Sequence, residues 1–243
     1  MIISRVDLPQ ANISNDWPFT VPAIWQIAKT GLQFTRPVTF LVGENGSGKS
    51  TIIEAIAEAY GLDVRGGHGA RKYDNAPPKG PLGKAVKLQR TPRGNQMVGR
   101  NARGYFLRAE TALGVFEFMS DHHVVGYGDK HLAQQSHGES FIQVFGGGRF
   151  DEDGLFLMDE PEAALSFRSC LQLVSLLSNL ERDDQQVICA THSPLLCALP
   201  GAEILELNDN GIRSVEWNEL ELVDHWRRYL SNPDTYLRHM KPE

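Results

Sequence analysis

The stretch Gly43-Glu44-Asn45-Gly46-Ser47-Gly48-Lys49-Ser50 decides how this chain of 243 residues is read. The apolar run 38–42 precedes it and predicts a buried strand. Apolar residues at helical spacing follow it between Thr51 and Tyr60, with Gly61 as the predicted C-cap. The order strand, glycine loop, helix predicts a loop whose backbone N–H groups surround phosphate oxygens. A chance glycine-rich turn is the alternative.

The side chains of this loop carry distinct expectations for a bound nucleoside triphosphate. We expect Lys49 to reach the β- and γ-phosphates and the Ser50 hydroxyl to ligate Mg²⁺. The other residues expected to contact the nucleotide are Gly43, Glu44, Asn45, Gly46, Ser47, Gly48 and Thr51. The expected ligands are therefore ATP and Mg²⁺.

Composition and cysteine usage favour a cytoplasmic globular protein. A hydrophobic content of 41% and a charged content of 22% are ordinary for that class. No apolar run approaches the roughly 20 residues of a membrane span, and the first residues lack the apolar core of a signal peptide. Cys170, Cys189 and Cys197 lack metal-ligand spacing and favour small core residues.

The net charge of −6 conceals an uneven distribution. Residues 61–104 hold ten Lys or Arg and two Asp, a net charge of +8, so the other residues carry −14. The segment is rich in Gly and Pro and is predicted to be a mostly irregular insertion, with strands at 85–88 and 105–107. It suits a polyanion such as DNA or RNA. A solvated loop that offsets the acidic body, or one near the triphosphate, is the alternative.

The remaining residues alternate between patterns typical of buried strands and of amphipathic helices. Predicted strands lie at 154–158, 187–190, 204–207 and 212–215, the last two forming a hairpin. Predicted helices are one containing Leu113, Phe116 and Phe118, one at 140–145, one at 166–180, and a last one capped by Asn218 with an apolar stripe from Leu222 to Leu230. This alternation predicts one α/β domain over 1–243, with short N-terminal strands.

Carboxylates directly after a predicted strand supply the second half of a phosphoryl-transfer site. Asp159 and Glu160 follow strand 154–158, at the sheet edge where open α/β folds bind ligands. Asp159 is the candidate Mg²⁺ partner, through Ser50 or a water, and Glu160 is the candidate general base. A helix cap is the alternative for Asp159. His192 ends the next strand on the same edge, where it is either a γ-phosphate contact or a structural histidine.

The order of these motifs resembles that of the ABC-type ATPase family, from about Val38 to Pro194. Residues 43–50 match the Walker A motif, and 155–161 are similar to the Walker B strand with its catalytic glutamate. Residues 163–166 resemble the D-loop, and His192 resembles the switch histidine. The resemblance implies a P-loop NTPase fold of ABC ATPase type, with a mostly parallel central sheet flanked by helices and an N-terminal antiparallel β portion. It also implies ATP hydrolysis with Mg²⁺.

Ser136-His137-Gly138-Glu139 resembles a variant of the family's signature motif, Leu-Ser-Gly-Gly-Gln. On this alignment Ser136, Gly138 and Glu139 are nucleotide contacts, with histidine and glutamate departing from the usual glycine and glutamine. In this family the signature motif contacts the nucleotide held by the other subunit. The resemblance therefore implies a head-to-tail homodimer with two ATP molecules between its subunits.

Glu110 and the candidate aromatic contacts for adenine each have two possible interpretations. Glu110 stands near the place of the family's glutamine, as a metal or water contact or as part of a surface salt bridge. The family stacks adenine on an aromatic residue, which Trp17 or Phe19 could supply. A core aromatic is the alternative for either residue.

Three functions are compatible with this sequence. Asp159-Glu160-Pro161-Glu162 and Thr191-His192-Ser193-Pro194 resemble the SMC- and RecF-like side of the family, which implies a nucleic-acid, repair or defence role. The 86 residues from Ser50 to Ser136 leave no room for a long coiled coil. The alternatives are the nucleotide-binding subunit of a membrane transporter and an ATP-gated switch with little turnover. An unknown protein partner is compatible with each of them.

Overall fold

Two β-sheets and the helices packed on them make up the described part of the chain. The computed structural model describes residues 1–68, 77–108, 153–180 and 185–238. The strands are β1 Ile3–Asp7, β2 Leu32–Gln33, β3 Val38–Gly43, β4 Gly67–His68, β5 Lys87–Arg90, β6 Gly104–Arg108, β7 Leu155–Asp159, β8 Gln186–Thr191, β9 Glu203–Asn208 and β10 Gly211–Ser214. The helices are α1 Pro22–Thr30, α2 Lys49–Tyr60, α3 Pro81–Ala85, α4 Phe167–Leu180, α5 Pro194–Cys197, α6 Glu221–Ser231 and α7 Asp234–Leu237.

The larger sheet has the strand order β10-β9-β3-β8-β7-β6-β4. Its five inner strands are parallel, and both edge strands pair antiparallel. Successive side chains of each inner strand alternate between two cores: Leu41 packs on the side of α1 and α2, whereas Phe40 and Val42 pack with α4 and α5. Strands covered on both faces are continuously apolar, which is why the sequence located them. The predicted mostly parallel sheet is confirmed.

The smaller sheet is antiparallel, with the order β2-β1-β5. It confirms the predicted N-terminal β portion, but α1 was not expected there. Gln186 joins the two sheets: its Oε1 accepts from the backbone N–H groups of Ile2 and Ile3 at 2.7 Å each, and its Nε2 donates to the Ile3 carbonyl at 2.9 Å. The N-terminal strand is thereby attached to the start of β8.

The basic segment is more ordered than its composition suggested. Between residues 81 and 90 it forms α3, which was not predicted, and β5, which overlaps the strand predicted at 85–88. The Gly80 backbone N–H donates to Glu58 Oε1 of α2 at 2.8 Å, and β5 pairs with β1. This part of the segment packs on the P-loop helix and completes the smaller sheet.

The C-terminal part begins with the predicted hairpin, which β9 and β10 confirm. Asn218 does not cap the helix that follows, because it lies in a 3₁₀ turn and Leu220 is the N-cap. The first helical N–H, of Glu221, is instead satisfied by Glu206 Oε1 at 2.9 Å. Only the first part of the predicted apolar stripe of α6 packs on the core, since Val223 is buried whereas Leu230 is 72% exposed.

The predicted helices around Leu113 and at 140–145 lie outside the described residues. Within the described ranges, no helix combines the length and the apolar character needed to cross a membrane.

Candidate nucleotide site

The loop between β3 and α2 has the backbone that its glycines predict. Gly46 and Gly48 have φ values of 84° and 100°, in the left-handed region that residues with a Cβ rarely adopt. Gly43 lies so close to β9 that a Cβ would come within 2.2 Å of the Leu207 carbonyl oxygen. The loop therefore turns tightly at the carboxyl end of β3 and leads directly into the amino end of α2, where helical N–H groups lack intrahelical partners.

Lys49 is buried beneath this loop at the first position of α2. Its ammonium donates to the carbonyl oxygens of Gly43 and Glu44 at 2.8 and 3.0 Å. Burial lowers the pKa of Lys49, while the nearby carboxylates of Glu160 and Asp159 oppose that shift. These contacts use two of the three N–H donors of the ammonium.

Ser50 and Asp159 form the central contact of the site. The Ser50 hydroxyl donates to Asp159 Oδ1 at 2.8 Å, joining the first turn of α2 to the last residue of β7. Asp159 is 5% exposed. A hydroxyl and a carboxylate are hard oxygen donors of the kind that bind Mg²⁺ together with phosphate oxygens and water. The donor set fits the predicted metal, with Ser50 and Asp159 as the residues that would hold it.

Glu160 and His192 face each other at the ends of neighbouring strands. Glu160 Oε1 lies 3.3 Å from His192 Nε2, and both side chains are partly exposed. Glu160 is the one non-glycine residue in the described ranges with positive φ, at 50°. Its backbone N–H donates to the Ala190 carbonyl at 2.9 Å, which extends the β7–β8 ladder into the site. A strained residue held by its surroundings at a cleft is typical of functional sites.

Glu162 is a site residue whose role the sequence reasoning missed. Its Oε1 accepts from the Thr191 hydroxyl at 2.6 Å and from the His192 backbone N–H at 2.5 Å. Burial raises the pKa of Glu162, the hydrogen bond from Thr191 opposes this, and the charge of Glu160 adds to it. The run 159–162 had been noticed only for its family resemblance; the contact between these strand ends is tertiary and leaves no local pattern.

Arg108 is a second residue whose position was not expected. It is the last residue of β6, in register with Asp159. Its Nη1 lies 2.7 Å from Glu54 Oε1, and its Nε lies 3.8 Å from Asp159 Oδ2. Burial raises the pKa of Glu54, and the Arg108 charge opposes that shift. From the sequence, a role had been expected only for Glu110, two residues further along the chain.

Two adjoining cavities open beside the loop. A cavity of about 400 Å³ is lined by loop residues 43–47, His192 and residues of β9. A larger one of about 770 Å³ lies between α1 and the β9–β10 turn and includes Phe19, Trp25 and Asn15 in its lining. Pro22 and Asp209 line both cavities. Phe19 is buried in this lining, whereas Trp17 is 67% exposed.

The structure thus brings Lys49, Ser50, Asp159, Glu160 and His192 to one edge of the sheet, as the sequence predicted. Glu110 and the signature-like residues lie outside the described part of the chain: Ser136, Gly138 and Glu139.

Comparison with known proteins identifies the fold. A family model described as an AAA domain matches residues 24–85. Curated proteins give no significant match. A structure described as a metal-chelate type ABC transporter in an inward-facing conformation has a TM-score of 0.50 at 12% identity, covering 95% of this chain and 89% of that chain.

Two other solved structures have lower scores. The dimeric structure of a bacterial ABC transporter cassette has a TM-score of 0.43 at 18% identity, covering 78% of this chain and 90% of that chain. An SMC head bound to the C-winged helix domain of ScpA has a TM-score of 0.45 at 13% identity, covering 80% of this chain and 94% of that chain. The structure with a TM-score of 0.50 shows that this chain has the α/β fold of an ABC-type P-loop protein, which confirms the predicted fold class.

Proposed function

We propose that this protein binds ATP with Mg²⁺ and hydrolyses it to ADP and phosphate. The contact of 2.8 Å between the Ser50 hydroxyl and Asp159 Oδ1 carries the proposal, because it joins two oxygen donors suited to Mg²⁺ directly beside the glycine loop. Lys49 would contact the β- and γ-phosphates from below the loop. The base would extend into the larger cavity, whose lining includes Phe19 but not Trp17.

The positions of Glu160 and His192 at the ends of neighbouring strands support hydrolysis. Bound Mg²⁺ would offset the charge of the phosphate oxygens. Glu160 would accept the proton of the attacking water while the bond from the γ-phosphorus to the bridging oxygen breaks and ADP leaves. His192, 3.3 Å from Glu160, would contact the γ-phosphate and orient the water. Each role rests on the shared edge of β7 and β8.

Nucleotide binding is tested by isothermal titration of ATP and Mg²⁺ into the wild type and Lys49→Ala. We expect Lys49→Ala to lose measurable binding, because it removes the buried cation of the loop. Lys84→Ala is the matched control, since Lys84 is an exposed lysine of α3, and it should bind like the wild type. Wild-type affinity in Lys49→Ala would remove Lys49 from its role.

We further propose that the working unit is a head-to-tail homodimer with two ATP molecules between the subunits. The resemblance of residues 136–139 to the signature motif supports it. In Glu160→Gln, ATP should remain bound without hydrolysis and hold the dimer together. Light scattering of this variant with saturating ATP and Mg²⁺ should give twice the monomer mass; a monomer mass would exclude the sandwich.

The favoured process is a cytoplasmic nucleic-acid role, supported by the exposed basic residues of the segment 61–104. Two basic residues of this segment already contact other protein groups and are weaker candidates for nucleic-acid binding: Arg93 pairs with Asp153, and Arg90 lies 5.5 Å from the Tyr60 ring. Within the described residues of this segment, Arg65 is exposed but pairs with Asp63, and the other exposed basic residues are Lys79, Lys84, Lys87 and Arg103. These four are the candidate phosphate contacts.

Salt dependence tests this role. DNA and RNA binding should weaken steeply with rising salt, and replacing the four residues by serine should flatten that slope. Arg36→Ser, which removes one exposed charge elsewhere, should leave the slope unchanged. Absence of binding at low salt would exclude the role. Copurification of a membrane protein would then favour the transporter subunit, and ATP binding without turnover would favour the switch.

A further inference from the structure

The polypeptide leaves the sheet immediately before His192. The last β8 residues in ladder register are Ala190, opposite Asp159, and Thr191, opposite Val42. No strand partner in the described residues continues the ladder to His192, so another group must fix its backbone. Glu162 Oε1 supplies this contact by accepting the His192 backbone N–H at 2.5 Å.

The same oxygen organises the residues on both sides of His192. The Thr191 hydroxyl donates to Glu162 Oε1 at 2.6 Å and accepts from the Ser193 backbone N–H at 2.9 Å. One carboxylate oxygen therefore determines the path of three consecutive residues. We name these contacts from Thr191 and His192 to Glu162 Oε1 the Glu162 bridge.

The Glu162 bridge also links His192 to Glu160. Glu162 and Glu160 belong to one turn, in which the Ala163 backbone N–H donates to the Glu160 carbonyl at 3.0 Å. The left-handed backbone of Glu160 directs this turn back toward β8. Any movement of Glu162 would therefore change the Glu160–His192 separation, now 3.3 Å.

We propose that Glu162 is a positioning residue that holds His192 against Glu160 and the γ-phosphate. This inference rests on the proposed ATPase function and assigns Glu162 no contact with the nucleotide. Glu162 Oε2 is buried and has no hydrogen-bond partner in the described residues. Oε1 alone therefore accepts the hydrogen bonds that hold Thr191 and His192, and this role does not require the negative charge of Glu162.

That distinction gives opposite expectations for two substitutions. Glu162→Gln keeps the acceptor oxygen and should retain kcat within about 3-fold. Glu162→Ala removes both contacts and should lower kcat by about 10- to 100-fold, the usual effect of misplacing a reacting group by about 1 Å. The ATP affinity should stay within about 2-fold in both variants, because the P-loop is untouched. An equal loss of kcat in Glu162→Gln and Glu162→Ala would overturn the proposal.

Glu203 provides a matched control. Its carboxylate also accepts from a threonine hydroxyl and a backbone N–H, both of Thr35, at 2.8 and 3.0 Å. It lies at the amino end of β9, whereas the P-loop follows the carboxyl end of the neighbouring parallel strand β3. Glu203→Ala should leave kcat within about 2-fold of the wild type. A loss of kcat as large as that of Glu162→Ala would mean general destabilisation and would overturn the proposal.

A double-mutant cycle tests whether Glu162 acts through His192. In a His192→Ala background, Glu162→Ala should cause little further loss of kcat. An undiminished 10- to 100-fold loss in that background would overturn the proposal. If Glu162→Ala does not fold, Thr191→Val carries the test: it removes the hydroxyl that donates to Glu162 Oε1 and accepts the Ser193 backbone N–H, and it should lower kcat with unchanged ATP affinity.

Amide hydrogen exchange in the absence of nucleotide separates this inference from the proposed function. Exchange of the His192 amide should accelerate at least 10-fold in Glu162→Ala and stay near wild type in Glu162→Gln. Unchanged exchange in Glu162→Ala would overturn the bridge whatever the ATPase result. If exchange changes as expected in the two variants but the wild type does not turn over ATP, the ATPase function is contradicted and the Glu162 bridge stands.

Discussion

Replacing Gln186 by leucine tests how the two sheets are joined. The side chain is fully buried and makes three hydrogen bonds, with the N–H groups of Ile2 and Ile3 and with the Ile3 carbonyl. Leucine has a similar volume but no polar atom, so it leaves these three backbone groups without a partner. The substitution therefore isolates the loss of hydrogen bonds from the creation of a cavity.

The expected cost follows from these contacts. A buried backbone group left unsatisfied costs about 1–3 kcal/mol. Three such groups would cost at most about 9 kcal/mol, and shifting of the N-terminal strand toward solvent relieves part of that. We expect Gln186→Leu to lower the free energy of unfolding by about 3–5 kcal/mol, a large share of the roughly 5–15 kcal/mol of a typical domain.

Urea denaturation followed by circular dichroism measures this loss. The control is Gln89→Leu on β5, whose Nε2 donates to Asp7 Oδ2 at 2.5 Å in an exposed setting. That exposed substitution should change the free energy of unfolding by no more than about 0.5 kcal/mol. A loss below about 1 kcal/mol for Gln186→Leu would show that the sheets do not depend on this side chain.

Two further predictions concern the P-loop helix. Tyr60→Phe should cost about 1 kcal/mol of the free energy of unfolding by removing the 2.8 Å bond to the Arg103 carbonyl. Because burial raises the pKa of Tyr60 from 10.0 to about 12, its contribution is full below pH 10 and is lost as pH rises towards 12. Urea denaturation across this range checks it, and a variant whose stability falls as steeply as the wild type's would contradict it. Ser50→Ala should bind ATP in EDTA like the wild type but lose at least 10-fold of the tightening caused by Mg²⁺; calorimetry with an unchanged Mg²⁺ response would contradict the metal role.

The sequence predicted the inner strands and the P-loop unit well. Strands β3, β7 and β8 are apolar on both faces because helices cover both sides of the sheet, and such runs are visible without any partner. The left-handed glycines of the loop leave an equally local pattern. Asp159, Glu160 and His192 could be placed together because the carboxyl ends of parallel strands share one edge.

Features that depend on tertiary contacts were missed. The helix α1, which begins at Pro22, was not predicted among the short N-terminal strands. Asn218 has the right side chain for a cap, but Glu206 from β9 reaches the helix start instead. Glu162 was invisible as a site residue because its partners lie 29 and 30 residues further along the chain.

Steady-state phosphate release by the wild type and Glu160→Gln tests the central claim most directly. The measurement uses saturating ATP and Mg²⁺, with calorimetry confirming that the variant still binds ATP. The ATPase proposal predicts turnover by the wild type and a loss of about 100- to 10,000-fold in Glu160→Gln, because the proton acceptor is removed while the P-loop is kept. Wild-type turnover in Glu160→Gln, or none in either protein, would contradict it.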